Sequence, residues 1–129
     1  MRQAMRGVLG LAGLFNILIG LGFLFNPTKL AAQFALSPIG IQGLATARAD
    51  FPAFFLTGGL FALVGAWRAD PKPLLVPLVL LGTALTGRFV SIALDGVVTT
   101  TYPPMLIEAA MIAAIVLARR SFTPGPVLR

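Results

Sequence analysis

The sequence predicts an all-α integral membrane protein, in which one domain of residues 1–129 forms a bundle of four membrane-spanning helices. Composition is the first reason, because 57% of the residues are hydrophobic, 11% are charged and the mean hydropathy is +0.93. Soluble domains carry about 25% charged residues, and a small domain with so few could not cover its exposed surface. The second reason is that the charges divide the chain into four long apolar stretches. A soluble enzyme and a disordered chain are therefore excluded.

The first apolar stretch is long enough to cross a membrane. Residues 7–28 contain no charge, and such a run of about 22 residues spans a hydrocarbon core of about 30 Å at 1.5 Å per residue. Arg2 and Arg6 precede it, as basic residues precede a secretory signal. The run is nevertheless longer than the apolar region of a signal peptide, which has about 7–15 residues. We expect an uncleaved first span at about 7–26.

A short helix is predicted between the first two spans. The pair Asn26-Pro27 is typical of a helix cap followed by proline at the first helical position. Leu30 and Phe34 lie four residues apart, and the polar residues Lys29 and Gln33 each precede one of them, which favours a helix lying in the membrane interface. Ser37-Pro38 repeats the start signal, so the next helix is expected to begin there or shortly afterwards.

The remaining spans are predicted at about 43–67, 74–95 and 103–118, and residues 121–129 are predicted to form a loose tail. Trp67 marks the end of the second span, because tryptophan is enriched at membrane interfaces. The polar, proline-rich stretch 68–73 then forms a short hairpin connection, and Arg119-Arg120 ends the fourth span.

The distribution of Lys and Arg predicts the orientation. Seven of the ten basic residues fall on one side of the predicted membrane: Arg2, Arg6, Arg68, Lys72, Arg119, Arg120 and Arg129. Cytoplasmic loops carry the excess of Lys and Arg, so both termini are expected in the cytoplasm, with the chain in the cell inner membrane. The excess of basic residues on the cytoplasmic side explains the net charge of +6. Nucleic-acid binding is not expected, because it requires a clustered basic face. The predicted partner is the lipid bilayer.

The chain contains no Cys and no His. Disulfides, thiolate metal sites and cysteine catalysis are therefore excluded, and the commonest metal ligand and the commonest neutral-pH base are missing too. We expect no metal and no cofactor. Proton chemistry would fall to the four carboxylates, Tyr102 or a lysine.

The lengths of the spans force charges into the membrane. Only about 15 residues separate Lys72 from Arg88, roughly 22 Å of helix, so the third span must continue past Arg88. Arg88 then lies roughly 10 Å from the outer end of that span. Residues 109–118 are likewise too few to cross, so the fourth span takes in Glu108. If the second helix extends upstream, Arg48 and Asp50 enter the membrane as well.

Six polar residues are the candidate site, an ion network or ligand-binding site in the outer half of the bundle: Arg48, Asp50, Arg88, Ser91, Asp95 and Glu108. Arg88, Ser91 and Asp95 follow i, i+3, i+7 spacing and share one helix face. An unpaired charge at membrane depth costs about 2.5–3.5 kcal/mol, so the arginines and carboxylates are expected to pair and to face the bundle interior. Three alternatives stay open. The network only fixes helix register, it binds a ligand or ion, or Arg48, Asp50 and Asp95 lie in wet loops.

Helix packing is predicted from a buried amide and from small residues. Asn16 lies near the middle of the first span, where its side chain is expected to form a hydrogen bond between helices. Small residues recur at helical spacing on three spans and predict close helix contacts: Gly7, Gly10, Gly13, Asn16 and Gly20 on the first, Gly58 and Gly65 on the second, and Ala110, Ala114 and Ala118 on the fourth.

Two strings of residues carry a resemblance. Arg48-Ala49-Asp50-Phe51 leads into Phe55-Leu56-Thr57-Gly58-Gly59, and Gly87-Arg88 is followed by Ser91, by Asp95-Gly96 and by Glu108 early in the last helix. In this layout the chain resembles a family of small bacterial four-span membrane proteins catalogued as a domain of unknown function. Pro52 departs from the polar or basic residue expected there. The resemblance implies the four-span fold and the charge cluster, and it implies no activity.

Three classes of function stay open. The cluster could bind or transport a small amphipathic or anionic ligand, with Arg88 in contact with the ligand and Asp95 and Glu108 orienting it. The protein could instead be an accessory or structural subunit of a homo-oligomer or larger membrane complex. In that case the ion network would hold the bundle together, and the small-residue helix faces would dock partner helices. The third class is an intramembrane enzyme that uses Asp50, Asp95 or Glu108 as acid and base. Because no residue pattern specifies a substrate, the sequence favours the first two classes.

Overall fold

The computed structural model describes residues 1–124, and they form an all-α fold without strands. Five helices follow one another in the chain: α1 Arg2–Phe25, α2 Pro27–Gln33, α3 Gly40–Arg68, α4 Leu75–Asp95 and α5 Tyr102–Phe122. The predicted all-α class is confirmed. Three of the helices, α1, α3 and α4, are long and apolar enough to cross a membrane. The fourth span stays a prediction, because α5 is not among those three. Helix α5 carries Glu108, Arg119 and Arg120 within its 21 residues.

Large apolar side chains are exposed along all four long helices. They include Leu11, Leu18, Phe25, Leu60, Val79, Leu94 and Leu106. Soluble monomers rarely expose large contiguous apolar surface, whereas lipid solvates it. The surface and the three apolar helices together indicate a membrane protein.

The helix boundaries follow local capping chemistry. The Asn26 side chain accepts a hydrogen bond from the Lys29 N–H at 3.4 Å and Pro27 occupies the first turn, so α2 begins where the sequence predicts it. Helix α3 begins at Gly40, shortly after Ser37-Pro38, and continues unbroken through Pro52.

The end of α5 corrects one prediction. The helix continues through Phe122 and does not give way to a loose tail at residue 121. The reason is burial, since Phe122 is enclosed by the apolar core and would be exposed if the chain unwound there. Residues 125–129 of the predicted tail, including Arg129, lie outside the described residues.

Helices α1 and α3 pack backbone against backbone. A Cβ atom placed on Gly59 would lie 2.7 Å from the carbonyl oxygen of Gly13, and one on Gly13 would lie 2.9 Å from that of Gly59. Small residues let membrane helices approach this closely. The sequence indicated Gly58 for such packing, but it is its neighbour Gly59 that faces α1, and Gly20 extends the contact toward Leu56. The prediction is wrong for Gly7 and Gly10, because a Cβ atom on either would meet no atom of the described residues within 4 Å.

The core lies toward one end of the bundle, which we call the closed end. It contains the first half of α1, the α3–α4 connection and the last turns of α5, and its buried cluster is Leu9, Ala66, Leu74, Leu81, Ile115, Ala118 and Phe122. Helix ends leave carbonyl groups without intrahelical partners. Here Arg6 donates to the carbonyls of Ala66 and Trp67, both at 3.0 Å, and Arg119 donates to that of Pro71 at 2.8 Å.

The glycine contact gives a matched pair of variants. Gly59→Ala is expected to lower the unfolding midpoint in detergent, because overpacking costs about 1–3 kcal/mol and outweighs the helix-propensity gain of about 0.5–1 kcal/mol. Gly87→Ala is the control, since a Cβ there meets no atom within 4 Å and only the propensity gain remains. Equal midpoints for the two variants would contradict the close α1–α3 approach.

Candidate functional site

The four long helices leave a hollow in the middle of the bundle. Helix α1 packs against α3 and α5, and α4 packs against the same two helices. No Cα atom of α1 lies within 8 Å of a Cα atom of α4, and both helices are described over their full length. On α4 only Pro77 and Leu81 are buried, so this helix fills little of the interior.

Two cavities occupy that hollow, and residues from all four long helices line each of them. The inner cavity has a volume of about 230 Å³ and an apolar wall apart from Asn16. The outer cavity has a volume of about 410 Å³ and lies toward the opposite, open end. Four residues line both cavities: Asn16, Phe54, Leu81 and Met111. The cavities are therefore adjacent, and charged residues line only the outer one: Asp50, Arg88 and Glu108.

An ion pair lies in the wall of the outer cavity. The Arg88 Nε–H is shared between both carboxylate oxygens of Glu108, at 2.9 and 2.8 Å. The Glu108 side chain is only 13% exposed, and the Arg88 side chain is 36% exposed. Within residues 1–124 this is the only ion pair, and the two Nη groups of Arg88 form no hydrogen bond with the described residues. The pair thus presents unused guanidinium donors beside a neutralised carboxylate.

Asp50 lines the same cavity without joining the pair. Gly58 of α3 faces Leu80 of α4, with a Cβ–Cδ1 distance of 3.5 Å for a Cβ built on the glycine. Asp50 and Arg88 each lie eight residues, or about 12 Å, from that contact in the direction of the open end. The two charged residues are therefore at the same level on neighbouring helices. Asp50 is exposed and forms no hydrogen bond or ion pair with a described residue.

Three predicted members of the cluster lie elsewhere. Arg48 is exposed inside α3 and donates from Nε to the carbonyl of Leu24 at 3.2 Å, near the end of α1. The Ser91 hydroxyl donates to the Asp95 carboxylate at 2.9 Å, and both residues are exposed on α4. The expectation that all these charges pair with one another is therefore wrong. Asp95 is seven residues from Arg88, about 10 Å along the helix, which is too far for one interior network.

The loop alternative is settled for two of these residues. Arg48 and Asp50 lie within α3, which begins at Gly40. Asp95 is the last residue of α4, with Gly96 in a left-handed conformation directly after it. Of the predicted cluster, the structure brings Arg88 and Glu108 together and places Asp50 on the same cavity.

Asn16 corrects the prediction of a hydrogen bond between helices. Its amide donates to the carbonyl of Ala12 in its own helix at 2.9 Å. The side chain is 9% exposed and lies where the two cavities meet. Its Oδ1 has no hydrogen-bond partner among the described residues and is not sealed in the protein interior. Asn16 therefore offers an acceptor to the cavity instead of a link to another helix.

An aromatic wall completes the outer cavity, and the sequence analysis missed it. Phe23 stacks on Phe51 with ring centroids 4.5 Å apart, and Phe34 packs between Phe23 and Phe55 at 5.5 and 5.6 Å. The phenylalanines at positions 51, 54 and 55 have i, i+3, i+4 spacing, which places them on one helix face. That spacing was a usable signal. Only the fold, however, shows that α2 brings Phe34 against this face.

No three Asp or Glu side chains in residues 1–124 come together in a way that could hold a metal ion. Comparisons with protein-family models, with curated proteins and with solved structures find no significant match to the chain. The resemblance to the four-span family therefore stays a prediction.

The ion pair predicts non-additive effects of substitution. Arg88→Met leaves the mostly buried Glu108 carboxylate unpaired and is expected to lower the free energy of unfolding by about 1–3 kcal/mol. The double variant Arg88→Met/Glu108→Met is expected to recover most of that loss, because removing both charges removes the unpaired group. Ser91→Ala is the control, since its partner is exposed and the change should stay within about 0.5 kcal/mol. A double variant less stable than Arg88→Met would contradict this account.

Proposed function

We propose that the protein crosses a bacterial inner membrane four times and has both termini in the cytoplasm. Three helices have the length and apolarity that a span needs. Helix α5 is the fourth span in this proposal, because pairing with Arg88 lowers the cost of carrying Glu108 into the membrane. Basic residues at the closed end support the orientation: Arg2, Arg6, Arg68, Lys72, Arg119 and Arg120 lie on α1, on the α3–α4 connection and at the end of α5. Helix α2 then lies in the outer interface.

We further propose that the bundle binds an amphiphile, a molecule with a polar head and an apolar tail. The observation that carries this proposal is the interior space itself, which is apolar at depth and charged near the open end. A bundle whose ion pair served only to fix helix register would be expected to fill its centre, because interiors pack with few voids larger than water. The outer cavity of about 410 Å³ falls within the usual range for ligand sites.

The two parts of the space suit the two parts of such a ligand. An apolar cavity of about 150 Å³ binds a benzene-sized hydrocarbon, so the inner cavity of about 230 Å³ can take part of an acyl tail. The Nη groups of Arg88 suit a phosphate or carboxylate, which guanidinium binds through charge-assisted hydrogen bonds. The Oδ1 of Asn16 accepts a hydrogen bond at the junction between head and tail.

The cavity wall also supports a route for the ligand. Phe15 of α1 and Ile107 of α5 line the outer cavity, yet they are 57% and 56% exposed at the molecular surface. The space thus reaches the surface at both of these helices, where lipid lies in the four-span arrangement. An amphiphile dissolved in the bilayer could insert its tail there without passing through water.

The orientation is testable with single cysteines, because the chain has none of its own. Thr100→Cys, in the α4–α5 connection, is expected to react with a membrane-impermeant thiol reagent added outside intact cells. Gln3→Cys, exposed at the closed end, is expected to react only after the cells are permeabilised. The reverse pattern would overturn the orientation, and external labelling of both positions would overturn the three crossings proposed between them.

Ligand binding is testable with the purified chain in a nonionic detergent. A lysophosphatidylethanolamine is expected to bind in an equilibrium titration, and the tail-less glycerophosphoethanolamine is not. Ala114→Leu should weaken binding about tenfold or more, because its side chain enters the inner cavity and excludes about two methylene groups, each contributing about 0.8 kcal/mol. Ala113→Leu is the control, since residue 113 is exposed and lies outside both cavity walls. Equal binding by both variants would place the tail elsewhere.

A further inference from the structure

The outer cavity has a net negative wall. Three charged residues line it: Asp50 and Glu108 are negative, and Arg88 is positive. Glu108 already offsets the single positive charge of Arg88 through the Nε bond, and within the described residues only the Nη donors stay free. A ligand with only negative charge would therefore enter a site that already has an excess of one negative charge, which opposes binding.

We infer that the head of the ligand is zwitterionic, with an anionic group on the Nη donors of Arg88 and an ammonium group on the Asp50 carboxylate. This inference rests on the proposed binding of an amphiphile and names the chemistry of its head. With such a ligand, each charged group on the cavity wall has an oppositely charged neighbour, and Glu108 and the anion share the single positive charge of Arg88. Glu108 pairs with the Arg88 Nε, the anion pairs with the Nη groups, and the ammonium pairs with Asp50.

The position of Asp50 supports the assignment. Asp50 and Arg88 lie at one level on adjacent helices, both on the cavity wall, and they do not bond to each other. Arg88 instead pairs with Glu108 of α5 through its Nε. The Nη donors of Arg88 and the carboxylate of Asp50 are therefore both without a partner among the described residues. A head group with neighbouring positive and negative charges fits between two such residues.

No other cation serves Asp50 within the described chain. Arg48 lies two residues away on the same helix, and residues at that spacing do not face each other. Its Nε is bound to the carbonyl of Leu24, and neither Arg48 nor Lys29 lines the cavity. The carboxylate is therefore available at the mouth of the site, where an ammonium group that follows a phosphate would lie.

The experiment compares ligands that differ only in the ammonium group. Lysophosphatidylethanolamine and lysophosphatidylglycerol with the same acyl chain are titrated against the full chain in nonionic detergent. We expect the ethanolamine lipid to bind at least about tenfold more tightly, a difference equivalent to about 1.4 kcal/mol. Glycerophosphoethanolamine is titrated in parallel, because its binding alone would identify a soluble head-group ligand and overturn the lipid assignment.

Asp50→Asn tests the residue. The variant is expected to lose the preference for ethanolamine and to bind the glycerol lipid more tightly than the unmodified chain does, since the excess negative charge is gone. Asp95→Asn is the matched control, because Asp95 is also exposed but lies outside the cavity wall and pairs with Ser91. A preference that survives in Asp50→Asn would overturn the role of Asp50.

The outcomes separate this inference from the proposed function. If neither lysolipid binds the unmodified chain, the proposed function fails. If both bind with equal affinity, amphiphile binding stands and the zwitterionic head is wrong. An alkylammonium detergent that binds as tightly as the ethanolamine lipid would show that Arg88 takes no anion. Should Asp50→Asn fail to fold, the comparison of the two lysolipids on the unmodified chain decides the question by itself.

Discussion

The backbone contact between α1 and α3 determines where the rest of the bundle can lie. Gly13 and Gly59 bring these two helices so close that a single methyl group would collide with a carbonyl oxygen. Helices α4 and α5 have no comparable glycine contact with them: Gly82 and Gly87 of α4 face open space. One pair of helices is therefore packed tightly and the other stands off, and the difference in spacing leaves the interior cavities between them.

The closed end keeps that arrangement from collapsing. Arg6 and Arg119 donate to carbonyls at the end of α3 and in the connection after it, and the apolar cluster around Phe122 fills the space beneath them. Toward the open end the helices are joined by one ion pair and an aromatic wall instead of a filled core. The molecule is thus stabilised at one end and hollow toward the other. This asymmetry is what makes binding from the membrane a stronger hypothesis than a purely structural role.

Much of the candidate site could be predicted from span lengths alone. A third span of about 30 Å has to include Arg88, and a fourth span of that length has to include Glu108, wherever their ends fall. The structure pairs these two residues. Span length gives the depth of a residue in the membrane but not the direction in which its side chain points around the helix axis. For that reason the predicted network contains more residues than the observed one. Arg48 lies at the right depth but bonds to the end of α1, and Asp95 stays with Ser91 at the exposed end of α4. Asn16, predicted to link two helices, is satisfied within its own helix.

The sequence by itself determined the all-α class, the three long apolar helices and the presence of charge within apolar stretches. These follow from composition and from the fixed rise of a helix. The tertiary structure decided which charges meet, that Gly59 and not Gly58 faces α1, and that cavities lie between the four long helices. These properties depend on the rotation and spacing of helices about one another. That geometry depends on contacts between residues far apart in the chain, so it cannot be predicted from the sequence periodicity of a single helix.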